Sequence, residues 1–141
     1  MTREELKEYL PHREPMLLVD EITMDENNVA HGIYHVRGDE FFLQGHFPGQ
    51  PVVPGVILCE IIAQSCALLL GDALKGKTPF YTGIDKVKFK HQVVPGDTAE
   101  ITAYIEKQKG VFYFTHGELR VGGNLCVTGK FSFALIENSG K

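Results

Sequence analysis

The sequence predicts an α+β fold in which one long buried helix packs against a single antiparallel sheet. Two observations carry this reading. The segment 56–74 is apolar almost without interruption, and the segments that follow are rich in β-branched and aromatic residues separated by short turn signals. With 141 residues, 43% hydrophobic and 23% charged, the chain has the composition of one globular domain spanning 1–141, with 138–141 expected as a flexible tail. A chain this short buries only about two-thirds of its unfolded surface, so association with a second copy would add much to its stability.

Thr2 followed by Glu5 is a capping-box pattern that opens a short helix, and Pro11 is expected to close it. This helix is expected to act as a flap. Between 16 and 37, two strands are expected around the turn Asp25-Glu26-Asn27-Asn28, with Val29, His31, Ile33 and His35 sharing a face of the second. The next segment, Gly45-His46-Phe47-Pro48-Gly49-Gln50-Pro51-Val52-Val53-Pro54-Gly55, holds too many prolines and glycines for a helix or a central strand. Pro54 suits the first turn of the helix that follows.

At about twenty residues, the 56–74 run also has the length of a membrane span, but Glu60, Gln64 and Asp72 inside it favour a helix wrapped by protein. Strands are then expected over 80–90, 97–108, 111–120 and 124–136, with turns at Val94-Pro95-Gly96-Asp97, Lys109-Gly110 and Gly122-Gly123. Short turns between consecutive strands favour antiparallel pairing.

The net charge of −4 argues against a nucleic-acid partner. The charged N-terminal segment lacks the apolar stretch of a secretory signal, which predicts a cytoplasmic protein. Cys59, Cys66 and Cys126 form no CxxC pair and read as reduced, buried, small apolar residues.

Three features carry chemistry. Glu60 and Gln64, four apart, form a narrow polar stripe on an apolar helix, and desolvation is expected to raise the Glu60 pKa so that it stays protonated near neutral pH. His46 is held in the Pro/Gly loop and is expected to be mostly neutral, hence able to accept a proton. The helix start at Pro54-Gly55 offers free backbone amides to a carbonyl oxygen that gains negative charge. A base, an acid and an oxyanion site together suit proton abstraction beside a carbonyl with loss of a hydroxyl one carbon further on.

The run Gly45-His46-Phe47-Pro48-Gly49-Gln50-Pro51, continued by Pro54-Gly55-Val56 to Glu60 and Ala63-Gln64, resembles the signature of the 3-hydroxyacyl-[acyl-carrier-protein] dehydratases, the FabZ family. The resemblance extends through Leu10-Pro11-His12-Arg13 and Leu17-Leu18-Val19-Asp20 to Gly83-Ile84-Asp85-Lys86-Val87-Lys88-Phe89 and Val93-Val94-Pro95-Gly96-Asp97. It implies a hot-dog fold, a long helix wrapped by a curved antiparallel sheet, assembled as dimers and often as hexamers of three dimers. It also implies a site shared between protomers: His46 takes the C2 proton, Glu60 of the other copy protonates the departing hydroxyl, the Gly55 amide holds the thioester carbonyl and Gln64 helps orient Glu60 or its water. The implied product is a trans-2-enoyl thioester on acyl carrier protein, with no metal and no organic cofactor. Glu14 stands where the family usually has an aromatic residue, and Gly38-Asp39 replaces a polar pair; both bear on the flap and the channel.

Lys86, Lys88 and Lys90 alternate along a predicted strand, a basic face that suits an acidic carrier protein, with Lys88 and Lys90 as the docking residues; solvated lysines guarding a strand edge explain it as well. His31 and His35 are too far apart on a strand to share a metal, and His12, His91 and His116 have no evident carboxylate partner in the sequence. Phe80 and Tyr81 read as core aromatics or as lining of an acyl channel. Competing functions are an isomerase of the same family that also moves the double bond, a thioesterase on the same fold, and a non-catalytic acyl-binding or scaffold protein.

Overall fold

A computed structural model describes residues 1–44 and 49–137. His46 and the expected 138–141 tail lie outside the described residues. A six-stranded antiparallel sheet runs in the order β1-β2-β4-β5-β6-β3, and one interrupted helix lies against it. The strands are β1 (Glu21–Met24), β2 (Ala30–His35), β3 (Lys77–Phe89), β4 (Thr98–Lys109), β5 (Phe112–Val121) and β6 (Asn124–Glu137).

The period-2 pattern works cleanly in β5, where Tyr113, Thr115, Gly117 and Leu119 are buried and the residues between them face outward. A row of small residues crosses four strands, because Ala30 pairs with Ala103, Ala103 with Gly117, and Gly117 with Gly129. A Cβ added at Gly117 would collide with the Ile62 side chain, and one at Gly32 with Ser65, so glycine at both positions sets how closely helix and sheet approach.

The helices are α1 (Arg3–Leu6), α2 (Gly55–Ser65) and α3 (Ala67–Leu70), with 3-10 turns at Phe41–Leu43 and Gly71–Leu74. Thr2 and Glu5 make the expected capping box on α1, but the helix ends at Leu6, before Pro11. Pro54 is the cap of α2, with φ −58° and ψ 142°, and the first helical residue is Gly55. The single helix expected over 56–74 is broken at Cys66, whose backbone amide bonds to Ala63 and Gln64 carbonyls. Gly55–Leu74 has the length and mean hydropathy, 1.8, of a membrane span, yet half of it is buried inside the domain, as a core helix would be.

The core is filled by Ile61 and Ile62 from α2, Ile101, Leu119, Val127 and Phe131 from the sheet, and Leu18 and Tyr34 beside them. All three cysteines are free and buried. The two unusual segments near the N-terminus are well tied. Glu14 pairs with Arg3 at 3.0 Å and Lys7 at 3.1 Å. Gly38, at φ 119°, donates its amide to Glu40, which also accepts from the Tyr34 hydroxyl at 2.7 Å.

Candidate active site

Glu60 projects from the middle of α2 into a cavity of about 170 Å³ whose walls are mostly apolar, including Leu10, Ala63, Leu70, Leu74 and Phe133. Its side chain is only 19% exposed. A carboxylate in such a place has to be hydrogen-bonded, and three side chains from three parts of the chain do so. Gln64 Nε2 donates to Oε2 at 2.9 Å, the Tyr81 hydroxyl donates to Oε1 at 3.1 Å, and His12 Nε2 stands 3.2 Å from Oε2.

The orientation of Gln64 is fixed by the backbone around it. Its Oε1 accepts from the Leu18 amide at 2.7 Å, so the NH2 group must face both the Met16 carbonyl and Glu60. The spacing of four residues along α2 puts the amide one turn below the carboxylate. His12 Nδ1 is buried without a hydrogen-bond partner among the described residues, and a carboxylate only accepts; the tautomer that protonates Nε2 therefore closes the contact with Glu60.

This network corrects the expected direction of the Glu60 pKa. Burial pushes the carboxyl up, but hydrogen bonds from His12, Gln64 and Tyr81 outweigh it, and the group sits below its ordinary 4.5. Burial and then the Glu60 charge push the Tyr81 phenol far above its usual range, so it keeps its proton and acts as a donor. Burial also raises the neighbouring Cys59 thiol, consistent with an inert side chain.

The sequence-predicted residues do not all meet within one chain. Glu60 and Gln64 do. Gly55 lies five residues earlier, which on an α-helix is about 140° around the axis and about 7.5 Å along it. It opens instead onto a separate cleft of about 400 Å³ with Val52, Val53, Leu58, Phe89, Lys90, His91 and Gln92. A Cβ at Gly55 would press on the Phe89 ring at 3.0 Å, so glycine keeps that approach open.

The basic row is also altered. The β3–β6 register slips between Asp85 and Lys88, and Lys86 sits in the bulge at φ 51°, so the strict alternation breaks before Lys88. Lys90 lies one residue beyond β3 and borders the Gly55 cleft. The lysines therefore do not form the regular three-cation face that alternation predicts, although all are exposed.

Two site residues were not assigned from sequence. His12, which had no evident carboxylate partner, faces Glu60, and Tyr81, read as core or channel lining, bonds to it. The signal available for His12 was its place in Leu10-Pro11-His12-Arg13; what it touches follows only from the fold. His31 and His35 bond to Asp25 and Thr98, each at 3.0 Å.

Comparison with known proteins bears on the family and the fold. The family model described as FabA-like domain matches residues 10–130. The 3-hydroxyacyl-[acyl-carrier-protein] dehydratase FabZ of Clostridium perfringens (strain SM101 / Type A) is 44% identical over 137 residues, 96% of this chain and 99% of that protein. The protein of the same name from Natranaerobius thermophilus is 42% identical over 136 residues, 94% of this chain and 96% of its own length. Among solved structures, the dehydratase heterocomplex ApeI:P from Xenorhabdus doucetiae superposes with a TM-score of 0.79 at 22% identity, covering 95% of this chain and 91% of that one. The fluoroacetyl-CoA thioesterase FlK, at 0.67 and 16% identity over 84% of this chain and 90% of its own, shares the fold alone. A FabA-like match over most of the length, near-complete alignment to relatives more than 40% identical, and a buried helix wrapped by an antiparallel hot-dog sheet together show that this chain belongs to the FabZ family of 3-hydroxyacyl-[acyl-carrier-protein] dehydratases.

Proposed function

We propose that the protein removes water from a (3R)-3-hydroxyacyl chain on acyl carrier protein in fatty acid synthesis, giving the trans-2-enoyl thioester. The observation that carries this reading is Glu60, a carboxylate fixed by three donors at the wall of an apolar cavity, in a chain of this family. In the proposed reaction His46 takes a proton from C2, the C3–O bond breaks, and Glu60 gives its proton to the departing hydroxyl, which leaves as water. The Gly55 amide steadies the thioester oxygen as it gains charge. The proton from Glu60 leaves in the water and the proton from C2 stays on His46, so the pair as a whole neither gains nor loses a proton, and exchange through solvent restores the starting form. The three donors on Glu60 favour the form that has just given its proton up, which is also the form that acts as base in the reverse hydration.

The divergence of Gly55 and Glu60 on α2 supports a site assembled from two copies. Strand β3 is an edge strand of 13 residues with Phe80, Ile84 and Phe89 exposed by 54%, 52% and 56%. A long edge of this kind invites pairing with a second chain. The proposed assembly is a homodimer, extended to a hexamer of three dimers, with His46 and Gly55 of one protomer facing Glu60 and Gln64 of its partner. Lys88 and Lys90 would meet the acidic carrier protein, and the position of Lys90 at the rim of the Gly55 cleft supports that role. The proposed location is the cytoplasm, with no nucleic-acid partner and no cofactor.

The test uses His46→Ala and Glu60→Gln, each assayed for enoyl formation and for release of free thiol from a 3-hydroxyacyl thioester. Each variant alone is expected to lose at least about 100-fold in turnover. Co-refolding the two is expected to restore activity, because one of the two shared sites in a mixed dimer is then intact. Wild-type turnover in Glu60→Gln, or thiol release as the main reaction, defeats the proposal.

A further inference from the structure

Two hydrogen-bond acceptors compete for one proton beside Glu60. The Tyr81 hydroxyl lies 3.1 Å from Glu60 Oε1 and 3.4 Å from the Cys59 carbonyl oxygen, and a phenol carries a single hydrogen. The other carboxylate oxygen, Oε2, is already engaged by Gln64 and His12, and the Gln64 amide cannot turn around without losing Leu18 and Met16. Gln64 therefore always presents a donor to Oε2, which disfavours a proton there. Oε1 is the oxygen left to carry it.

We propose that Tyr81 is a positioning residue for Glu60: its hydroxyl assigns the mobile proton to Oε1 and turns between two partners as that proton comes and goes. When Glu60 is ionised, the hydroxyl donates to Oε1. When Oε1 is protonated, the hydroxyl rotates to the Cys59 carbonyl and presents its own oxygen to the Oε1 proton. The phenol keeps its hydrogen throughout, so no proton is lost or gained by Tyr81. The device needs a hydroxyl that does not ionise, which a phenol satisfies at neutral pH even though the ring is 41% exposed; Phe133, at a ring-centroid distance of 5.4 Å, steadies the ring.

Among the described residues, the groups facing Glu60 are few. His12 comes from the N-terminal segment, Gln64 from the same helix, Tyr81 from β3, and Phe133 of β6 closes the cavity without a polar atom; the buried Cys66 thiol also borders it. His12 and Gln64 address Oε2, which leaves Tyr81 as the side-chain donor to Oε1 among the described residues.

This inference rests on the reading of Glu60 as the proton donor, and its test separates the two. Tyr81→Phe removes only the hydroxyl. With 13C-labelled glutamate carboxyls, the Glu60 titration observed by NMR is expected to move up by about one pH unit in Tyr81→Phe, since the ionised form loses a donor. The acid limb of the pH–rate profile is expected to follow it. A merely structural role would lower the folded fraction or the rate at every pH and leave both midpoints in place. In the unsubstituted protein, the 13C-carbonyl-cysteine infrared band of Cys59 is expected to shift as Glu60 titrates, a readout that does not depend on any variant folding. An unmoved Glu60 titration in folded Tyr81→Phe, or a Cys59 band indifferent to Glu60, overturns the inference. Glu60→Gln with full turnover would defeat the catalytic reading alone, and a shifted Glu60 titration would still stand as support for Tyr81.

Discussion

His12 Nε2 lies 3.2 Å from Glu60 Oε2, although the two residues come from an N-terminal loop and from the middle of the central helix. That contact ties the segment after α1 to the proposed acid, and it makes the N-terminus part of the site. Replacing His12 by Ala removes one of the two groups that hold Oε2. Turnover is expected to fall about 10-fold with little change in KM, because the loss of one hydrogen bond to a charged group is of that order. Steady-state kinetics together with a thermal melt would check this; an unchanged kcat in folded protein would show that the contact has no role in turnover.

Gln64→Leu has a different expected outcome. The Leu18 amide and the Met16 carbonyl both lose their partner, and Leu18 is almost fully buried. Stability is expected to drop by about 1–3 kcal/mol, the range for leaving buried polar groups unpaired. Urea denaturation would measure it.

Gly117→Ala tests the seating of α2 on the sheet. The added methyl would meet Ile62, which is fully buried and cannot move aside. About 1–3 kcal/mol of stability should be lost, whereas Gly110→Ala, in an open turn at φ 60°, should be affected through backbone strain alone.

Acid should weaken the fold through its buried carboxylates. Glu40 is 5% exposed; burial raises its pKa, but the amides of Arg37 and Gly38 and the Tyr34 hydroxyl outweigh that and leave it below 4.5. Glu60 is lowered in the same way. A group whose folded pKa lies below its unfolded value contributes stability that is present above the unfolded pKa and lost as pH falls through the folded one. The melting temperature is therefore expected to hold from neutral pH down to about 5 and to decline below about 4.5, and Glu40→Gln should flatten that decline. A melt series across pH 3 to 7, approximately one point per half unit, would show whether the limb follows Glu40.

The cysteines should be silent toward alkylation. Cys66 is 1% exposed and burial pushes its thiol up to about 12, while Cys59 and Cys126 are buried and raised in the same direction. Mass spectrometry after iodoacetamide at pH 8 is expected to find no label in native protein and full labelling in denaturant.

The order of elements was legible because it depends on local patterns. β-Branched and aromatic runs bounded by Gly-containing turns mark β5 and β6 to within a few residues, the Thr2–Glu5 capping box marks the start of α1, and the apolar run marks the central helix. Glu60 and Gln64 stood out for a related reason: on an apolar helix, two polar residues one turn apart share a face whatever packs against them. The family signature then connected them with Gly55 and His46.

Other features depend on neighbours that are distant in the chain. The break at Cys66 and the bulge at Lys86 leave no pattern in hydrophobicity, since they reflect how helix and strand fit against the rest of the sheet. Sequence alone points the Glu60 pKa the wrong way, because burial is legible on one helix, whereas two of the three donors that outweigh it come from the loop at residue 12 and from β3. Periodicity reports which face of an element is buried; it does not report which polar groups meet there. Local patterns are enough to read the elements, the apolar core segment and the polar stripe upon it. That His12 and Tyr81 close around that stripe, and that Gly55 opens onto a different cleft, follows from the fold alone, because hydrogen bonds are short-ranged and directional and depend on where the folded chain brings its distant segments.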